Sequence, residues 1–383
     1  MNRKSESLQH HFANSSPAVR SLLESARTAI EQVLSVKPDE SVLIVTNPVS
    51  DVSDISMAIY DAAVEAGARP VLAYQPQKNQ LDFAEPAIIE AISSRPDVFI
   101  SMSAGKLGKD RRGIAEPYES GGRRFDNLFH FLLYGEKSMR SFWSPGVTRE
   151  IFLRAVPVDY ATLRLKCASL KQVLDHAASV RITTRAGTDI TIGVAGRIAF
   201  VDDGDFSIPG RGGNLPAGET YISPTLGSSE GVVVFDGSIA SYSGTIQIRQ
   251  PIRVEVAGGF VTGIEGGTEA DELADTIRRG EENTTALEKQ GKLPAGEGEV
   301  YRRNVRNIGE LGIGLNPAAQ VTGNMLEDEK AFRTCHIAIG HNYDEDAPAL
   351  THLDGVIRNP TISVVYPDSS QIELMRNGEF VSM

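Results

Sequence analysis

Short apolar runs alternate with amphipathic stretches along the first third of the chain. Three stretches have apolar residues at helical spacing, and the continuous apolar runs that follow them are typical of buried parallel strands. The helices are predicted at residues 17–35, 53–66 and 85–94, and the strands at 41–46, 70–74 and 97–101. This order of elements predicts a small α/β layer with a short parallel sheet.

The pattern changes toward the second half of the chain. Residues 105–124 are rich in glycine and charge and predict a loop, whereas 127–134 and 160–177 again have helical spacing. Short β-type runs between glycine-rich turns then follow at 181–184, 189–194, 231–235, 245–250 and 253–256, with one helix predicted over 269–288. We therefore predict an α+β or α/β protein with an N-terminal α/β domain over 1–177 and a β-rich, mostly antiparallel C-terminal domain over 178–383.

Composition and charge narrow the functional classes. The chain has 383 residues and a net charge of -12, which disfavours a nucleic-acid or anionic-membrane partner. Its two cysteines, Cys167 and Cys335, are too few for a disulfide framework or a cysteine-rich zinc site. Residues 1–16 lack the apolar core of a signal peptide, and no apolar run is long enough to span a membrane. We expect a cytoplasmic enzyme.

Carboxylates and histidines gather in the second half of the chain. The segment HLD at 352–354 has period-two spacing, which places His352 and Asp354 on one face of a strand. His336 lies in the alternating run CHIAIG, which also predicts a strand. Glu310 lies among glycines, where we expect the backbone to turn tightly and approach other groups. With Glu219, these residues form an N/O ligand set that suits zinc, cobalt, manganese or iron.

Taken in order, these segments resemble the thermophilic-type metalloaminopeptidases, the leucyl-aminopeptidase-like family of aminopeptidases T and S. That family is known for the motifs PxGE, E-x-G-I-G-x-N-P, DEK-x5-H-I-A-x-G and H-x-D. This chain has PAGE at 216–219, ELGIGLNP at 310–317, DEKAFRTCHIAIG at 328–340 and HLD at 352–354. The resemblance covers about residues 180–365 and predicts a metal-dependent hydrolase that removes N-terminal residues from peptides.

The resemblance also implies the site and its chemistry. The implied ligands are Glu219, Glu310, His336, His352 and Asp354, and they would hold two divalent ions, with zinc expected and cobalt, manganese or iron as alternatives. The ions would activate a water, either Glu219 or Glu310 would carry its proton, and Tyr343 would donate to the oxyanion. The implied substrate is a small peptide or amide, and the implied assembly is a homodimer.

Departures from the family pattern concern the substrate. Arg333 replaces a glycine before the motif histidine, and the acidic run at 344–346 replaces a loop that contains glycine and asparagine. Leucine-type specificity is therefore in doubt, and the acidic run either binds a substrate amine or is a solvated loop. Glu230 lies in a stretch that the family shares, as a candidate substrate or outer-shell residue.

Three alternative functions remain at this point. The first is hydrolysis of a non-peptide amide in a specialised pathway. The second is a non-haem iron, ring-cleaving dioxygenase of the dihydroxypyridine type. Such enzymes resemble the same scaffold and keep H-x-D, but they have an apolar residue at the position of Glu219 and a histidine at that of Glu310. The third is a non-catalytic binding protein. Because both positions hold glutamate, we predict the hydrolase.

Overall fold

The structure, a computed structural model, describes residues 16–79, 82–290, 293 and 296–381. Residues 1–15, which belong to the stretch examined for a signal peptide, lie outside them. The contacts divide the chain into two compact units. The first comprises the chain up to Arg164 together with Asp202–Ala217, and the second comprises Leu165–Val201 and Gly218–Met383. The domain limits at 177 and 178 stay a prediction.

The described helices lie mostly in the first unit. The α-helices are α1 (Pro17–Ser21), α2 (Leu23–Arg27), α3 (Ser50–Glu65), α4 (Pro86–Ser93), α5 (Arg111–Ala115), α6 (Leu128–His130), α7 (Arg149–Ala155), α8 (Tyr160–Asp175), α9 (Thr268–Lys289), α10 (Gly298–Asn304) and α11 (Met325–Asp328). Two π-helical stretches lie at Thr28–Val33 and Phe131–Gly135. None of the helices in the described part of the chain is both long and apolar enough to cross a membrane.

The strands are numbered in chain order. They are β1 (Ser41–Thr46), β2 (Arg69–Tyr74), β3 (Val98–Met102), β4 (Tyr118–Ser120), β5 (Arg123–Phe125), β6 (Arg140–Trp143), β7 (Ser179–Thr183), β8 (Asp189–Gly193), β9 (Phe200–Asp202), β10 (Gly212–Asn214), β11 (Glu219–Ile222), β12 (Glu230–Phe235), β13 (Ser238–Ser241), β14 (Gly244–Gln247), β15 (Ile252–Ala257), β16 (Phe260–Glu265), β17 (Ile308–Gly314), β18 (Thr334–Gly340), β19 (His352–Arg358), β20 (Thr361–Val365), β21 (Gln371–Arg376) and β22 (Glu379–Phe380).

A parallel five-stranded sheet forms the centre of the first unit. Its order is β10-β6-β3-β1-β2, and every neighbouring pair is parallel. The apolar run of β1 is buried from Val42 onward, as expected for a strand covered on both faces. Leu43, Val45 and Phe99 pack in one apolar cluster with helix α4. The predicted α/β layer is confirmed.

Two antiparallel sheets form the second unit. The eight-stranded sheet has the order β16-β15-β12-β8-β7-β20-β21-β22, and the seven-stranded sheet has the order β14-β13-β19-β18-β17-β11-β9. In the seven-stranded sheet, the neighbouring pairs β14–β13, β13–β19, β19–β18, β18–β17 and β17–β11 are antiparallel. Each residue of β17 and β18 is buried. The predicted fold class, an α/β part followed by a β-rich part, is confirmed.

Two local predictions need correction. The stretch 105–124 is not a plain loop, because it contains helix α5 and the hairpin β4–β5. The glycine-rich segment around Glu310 is not a turn, because it is the buried strand β17. Its glycines allow close approach by neighbouring groups. A side-chain carbon at Gly309 would lie 2.3 Å from the carbonyl oxygen of His341, and one at Gly314 would lie 2.1 Å from that of Ala331.

Candidate metal centre

Four neighbouring strands of the seven-stranded sheet carry the five predicted ligands. Strand β11 carries Glu219, β17 carries Glu310, β18 carries His336, and β19 carries both His352 and Asp354. These strands are adjacent in the order β19-β18-β17-β11. The structure therefore brings all five side chains to one part of one sheet.

The strand register places the five ligands on the same face. Side chains alternate between faces along a strand, and directly paired residues share a face. Each ligand has a glycine or alanine as a paired neighbour. The pairs are Glu219 with Gly314, Glu310 with Ala338, His336 with Gly312, His352 with Gly340, and Asp354 with Ala338. Small residues opposite the ligands leave the room above this face to the imidazole and carboxylate groups.

The ligand atoms form two groups that share one carboxylate. Glu219, Glu310 and His336 form one group, and Glu310, His352 and Asp354 form the other. In the first, His336 Nε2 lies 2.9 Å from Glu310 Oε1 and 3.7 Å from Glu219 Oε2. In the second, His352 Nε2 lies 3.1 Å from Asp354 Oδ1 and 3.4 Å from Glu310 Oε2. Within each group the ligand atoms lie within 4.8 Å of one another, close enough to surround one ion.

Several buried atoms of the cluster lack hydrogen bonds, which supports a bound cation. Glu219 Oε2, Glu310 Oε2, Asp354 Oδ1 and His336 Nδ1 are buried and have no hydrogen-bond partner among the described residues. Buried polar atoms of this kind are costly unless a partner or an ion satisfies them. His352 Nδ1 donates to the carbonyl oxygen of His341 at 2.8 Å, so that its Nε2 faces the carboxylates. Such an outer hydrogen bond is typical of a metal-binding histidine.

The electrostatics of the cluster favour positive charge. Burial alone lowers the pKa of His336, but the hydrogen bond to Glu310 and the charge of Glu219 raise it to about 9. Burial likewise opposes protonation of His352, yet Asp354 and Glu310 hold its pKa well above the usual range. The pKa of Asp354 lies well below its usual value, because the His352 charge outweighs the effect of burial. The potential that raises the imidazole pKa values would equally attract a metal ion.

A buried lysine, which the sequence analysis missed, lies beside the cluster. The Lys330 side chain is fully buried, and its Nζ donates to Glu219 Oε1 at 2.6 Å and to Glu329 Oε1. Burial raises the pKa of Glu329 to about 8, although the charge of Lys330 opposes this shift. Burial also raises the pKa of Glu219. Lys330 is the lysine of the DEK segment that begins the third motif, and the sequence analysis assigned no role to that segment.

Tyr343 lies at the edge of the cluster. Its ring centroid is 5.3 Å from that of His352, in an edge-to-face arrangement, and 48% of the residue is exposed. Partial burial of the hydroxyl and the nearby charges of Glu310 and Asp354 raise the pKa of Tyr343, so the hydroxyl remains protonated and can donate a hydrogen bond. This position is compatible with the predicted catalytic role, which stays a prediction.

The acidic run after Tyr343 is held by an arginine. Arg197 donates to Asp346 Oδ2 at 2.8 Å and lies 3.7 Å from Asp344 Oδ1. Asn342 Nδ2 donates to the other oxygen of Asp346, and the Ala347 amide donates to Asn342 Oδ1 at 3.0 Å. Both aspartates are therefore engaged within the protein, which argues against capture of a substrate amine by them.

Two further positions singled out by the sequence lie elsewhere. Arg333, which replaces a family glycine, has a φ of 70° in the left-handed region where glycine is favoured. Glu230 is exposed on β12 of the eight-stranded sheet, and its Oε1 accepts from the Gly258 amide at 2.7 Å. Glu230 thus has a structural hydrogen bond on a different sheet from the ligands.

Comparison with known proteins links this chain to a dioxygenase. The model of the NicX family, 2,5-dihydroxypyridine 5,6-dioxygenase, matches residues 148–338, a stretch that includes Glu219, Glu310 and His336. A 2,5-dihydroxypyridine 5,6-dioxygenase of Pseudomonas putida is 28% identical over 179 residues, 47% of this chain and 45% of the relative. The aligned part thus spans somewhat less than half of the relative's length.

Two solved structures share the fold over nearly the whole chain. The structure of the 2,5-dihydroxypyridine dioxygenase from Pseudomonas putida superposes with a TM-score of 0.66 at 20% identity and covers 94% of this chain and 97% of that chain. Wild-type AmpT from Thermus thermophilus has a TM-score of 0.64 at 18% identity and covers 95% of this chain and 99% of that chain. At these identities the likeness shows the fold alone.

These matches correct the predicted function. The aminopeptidase prediction, and with it the hydrolase and metalloprotease class, is wrong, because the matching family model and the curated relative are both dioxygenases. The resemblance to aminopeptidases T holds for the fold. The prediction of an enzyme with a metal site is supported, whereas a zinc pair is not. The error has a physical cause: glutamates at 219 and 310 supply oxygen ligands that several metals accept, so they do not distinguish hydrolysis from oxygen chemistry.

Proposed function

We propose that this protein is a non-haem iron dioxygenase that opens the ring of a small dihydroxylated aromatic compound, for which 2,5-dihydroxypyridine is the first candidate. The observation that carries the proposal is the agreement of the family model and the curated relative on this reaction. The family model matches a stretch that includes three of the five ligands. In such a reaction one carbon–carbon bond of the ring breaks and both oxygen atoms of dioxygen enter the product.

We place a single iron ion at Glu310, His352 and Asp354. Glu310 Oε1 is already engaged by His336, which leaves its Oε2 free beside His352 Nε2 and Asp354 Oδ1. In the other group, Glu219 Oε1 is engaged by the buried Lys330 ammonium, which supplies a positive charge there. An N/O set with few protein ligands leaves positions open, and iron(II) bound there would supply sites for dioxygen and for ring hydroxyls.

This set departs from the one expected for dihydroxypyridine dioxygenases. The expected set has two histidines and one aspartate, whereas Glu310 stands here at the position of one histidine. One imidazole and two carboxylates still form an N/O set that suits iron or manganese. The additional carboxylate makes the ligand set more negative and favours retention of the metal dication.

The chain's own residues perform the remaining tasks. His336 donates from Nε2 to Glu310 Oε1 and thereby orients the carboxylate that faces the metal site. Lys330 holds Glu219 in place, so that this carboxylate stays beside His336. The protonated Tyr343 hydroxyl at the edge of the cluster can donate to a ring hydroxyl or to the carbonyl that develops from it.

Oxygen consumption provides the direct test. The protein is reconstituted with iron(II) without air and mixed with 2,5-dihydroxypyridine in air-saturated buffer. We expect oxygen uptake in a one-to-one ratio with loss of the aromatic absorbance, and incorporation of two labelled atoms from ¹⁸O₂. Asp354→Asn is the inactive control, and manganese and zinc reconstitution test the metal.

The competing outcomes are distinct. Failure to consume oxygen with any of several dihydroxylated pyridines and benzenes, by protein that holds iron, would overturn the dioxygenase proposal. Uptake with benzene diols and not with pyridine diols would keep the reaction class and change the ring.

A further inference from the structure

A run of aromatic rings leads from the surface of the second unit to a metal ligand. Phe200 on β9 stacks on Tyr221 of β11, with ring centroids 5.4 Å apart and an interplanar angle of 20°. Tyr221 contacts Tyr343 at 5.1 Å with an angle of 60°, and Tyr343 contacts His352 at 5.3 Å. Phe200 also lies 6.4 Å from Tyr343, which closes a triangle of three rings.

The register places Tyr221 on the face that carries the ligands. Tyr221 pairs with Gly312, and Gly312 pairs with His336 on the next strand. Tyr221 also lies two residues after Glu219 on the same strand, so both side chains project from the same face. Because position 312 has no side chain, the His336 imidazole lies above the glycine, on the face that also carries Tyr221.

The three rings are not an ordinary apolar core. Phe200 is 36% exposed and Tyr343 is 48% exposed, whereas the aromatic residues of the core are buried. Phe200 lies on the edge strand of the sheet, which ends there among the described strands. Exposed aromatic surface beside a set of convergent polar ligands is characteristic of a small-molecule site.

The third ring is held by a polar clamp. Arg197 binds Asp346 and lies near Asp344, and Asn342 binds both Asp346 and the Ala347 amide, so the loop that carries Tyr343 is tied on both sides of the tyrosine. Arg197 also donates to the carbonyl oxygen of Pro224 at 3.0 Å. These contacts fix the loop that carries Tyr343, whose ring contacts that of Tyr221.

We infer that Phe200, Tyr221 and Tyr343 form a stacking surface that binds the planar ring of an aromatic substrate and presents its hydroxyls to the metal ligands. This inference rests on the proposed function and specifies its substrate class: a flat, six-membered, hydroxylated aromatic ring. Aromatic pairs favour offset-stacked and edge-to-face arrangements, which a planar aromatic ligand can adopt against these three rings. Saturated or aliphatic ligands with the same hydroxyls lack this contribution.

Binding without turnover tests the inference. The iron-loaded protein is titrated with 2,5-dihydroxypyridine by calorimetry in the absence of oxygen, and with cyclohexane-1,4-diol as a non-aromatic probe. Because Phe200→Leu removes one stacking ring, we expect it to raise Kd by about tenfold. Phe200→Trp keeps a stacking ring and should bind about as tightly as the unchanged protein. Tyr221→Leu provides a second truncation.

A matched control lies on the same unit. Tyr242 is an exposed tyrosine whose ring lies 3.9 Å from the Arg279 guanidinium, at the hairpin between β13 and β14. Tyr242→Leu should leave Kd unchanged. Equal Kd values for the unchanged protein and Phe200→Leu, comparable affinity for the saturated diol, or no binding of the aromatic ring would each overturn the inference.

Kinetics separate this inference from the proposed function. If the ring binds and Phe200→Leu weakens binding, but no oxygen is consumed, the stacking surface stands and the dioxygenase fails. If oxygen is consumed and the KM for the aromatic substrate does not change in Phe200→Leu, the dioxygenase stands and the stacking surface is wrong.

Discussion

The His336 imidazole occupies the space that a side chain at Gly312 would need. The two residues are paired on adjacent strands, and a side-chain carbon at position 312 would lie 2.1 Å from ring atoms of His336. No side-chain carbon approaches another group so closely without displacing it, so the glycine is required wherever the histidine keeps this position. The glycine-rich segment thus contributes to the site because Gly312 has no side chain and leaves room for the His336 imidazole.

We expect Gly312→Ala to displace His336 and impair the site. Overpacking of a buried strand costs about 1–3 kcal/mol of stability, and the displaced imidazole would release Glu310 Oε1. Denaturant unfolding and iron content measure the two effects. Gly263→Ala is the control, since its nearest group is the flexible end of Glu255 at 3.2 Å. Equal iron content and stability in both variants would contradict the steric argument.

Metal content distinguishes the two ligand groups. We expect the unchanged protein to bind one iron, and Asp354→Asn to lose at least about 100-fold in iron affinity, since changes that only misorient a ligand already cost about 10- to 100-fold. Glu219→Gln should retain the ion, because the proposed iron ligands do not include Glu219. Elemental analysis after dialysis against graded chelator gives the result. Two ions in the unchanged protein, with one lost in each variant, would disprove the single-ion arrangement.

Removal of the Lys330 charge should destabilise the fold. Lys330→Met leaves the buried Glu219 and the partly buried Glu329 without their cation, and breaking a buried ion pair from one side costs about 3–5 kcal/mol. Adding Glu219→Gln should restore part of this loss, because a neutral amide then replaces a buried carboxylate that has lost its cation. Urea unfolding of the single and double variants measures the coupling. Lys289→Met, at an exposed helix end, should change stability by no more than about 0.5 kcal/mol.

Loss of the Arg197 clamp should loosen the Tyr343 loop and leave the sheet intact. In Arg197→Met, Asp346 loses its guanidinium partner, and we expect faster hydrogen exchange at the Ala347 amide, which depends on Asn342. Exchange in strand β18 should not change. Arg181→Met removes an exposed arginine–aspartate pair on β7 and β8, and it is the comparison for a generic loss of charge. If the Ala347 amide exchanged at the same rate in Arg197→Met and Arg181→Met, Arg197 would not hold the loop.

The contact between Arg197 and Asp346 should weaken only at low pH. Burial raises the pKa of Asp346, but the hydrogen bonds from Asn342 and Arg197 outweigh it and place the pKa below the ordinary value of 3.8. A lowered carboxyl pKa means that the ionised group stabilises the folded loop at pH values above the ordinary pKa. This stabilisation is lost as the pH falls through the lower pKa of the folded state. Protection of the Ala347 amide should therefore persist through mildly acidic pH. Loss of protection well above the ordinary value would contradict this.

Local patterns predicted much of the fold and the shared face of two candidate ligands. The H-x-D spacing placed His352 and Asp354 on one face of a strand, because the period of a strand is a local property. The parallel layer followed from the order of β1, α3, β2, α4 and β3, which is a property of consecutive elements.

Local sequence patterns could not predict contacts between strands that are far apart in the sequence. Lys330 reaches Glu219 across 111 positions, and the stacking of Phe200 on Tyr221 depends on which strand forms the sheet edge. The surroundings of Glu310 were mistaken for a turn, because glycines that admit a neighbouring imidazole have the same sequence signature as glycines that bend the chain. The reaction class was missed because ligand type does not determine which bond is broken.

The candidate ligands lie on four different strands, and this affects when a metal ion can bind during folding. Glu219 and Asp354 stand 354 - 219 = 135 positions apart, and the strands that carry them join through β17 and β18. Contacts of such long sequence separation form late, after the cost of closing large loops has been met. An unfolded chain therefore offers no preformed ligand cluster, and the proposed iron ion would enter only a sheet that has already assembled. Iron should consequently slow unfolding and raise the melting temperature without accelerating refolding.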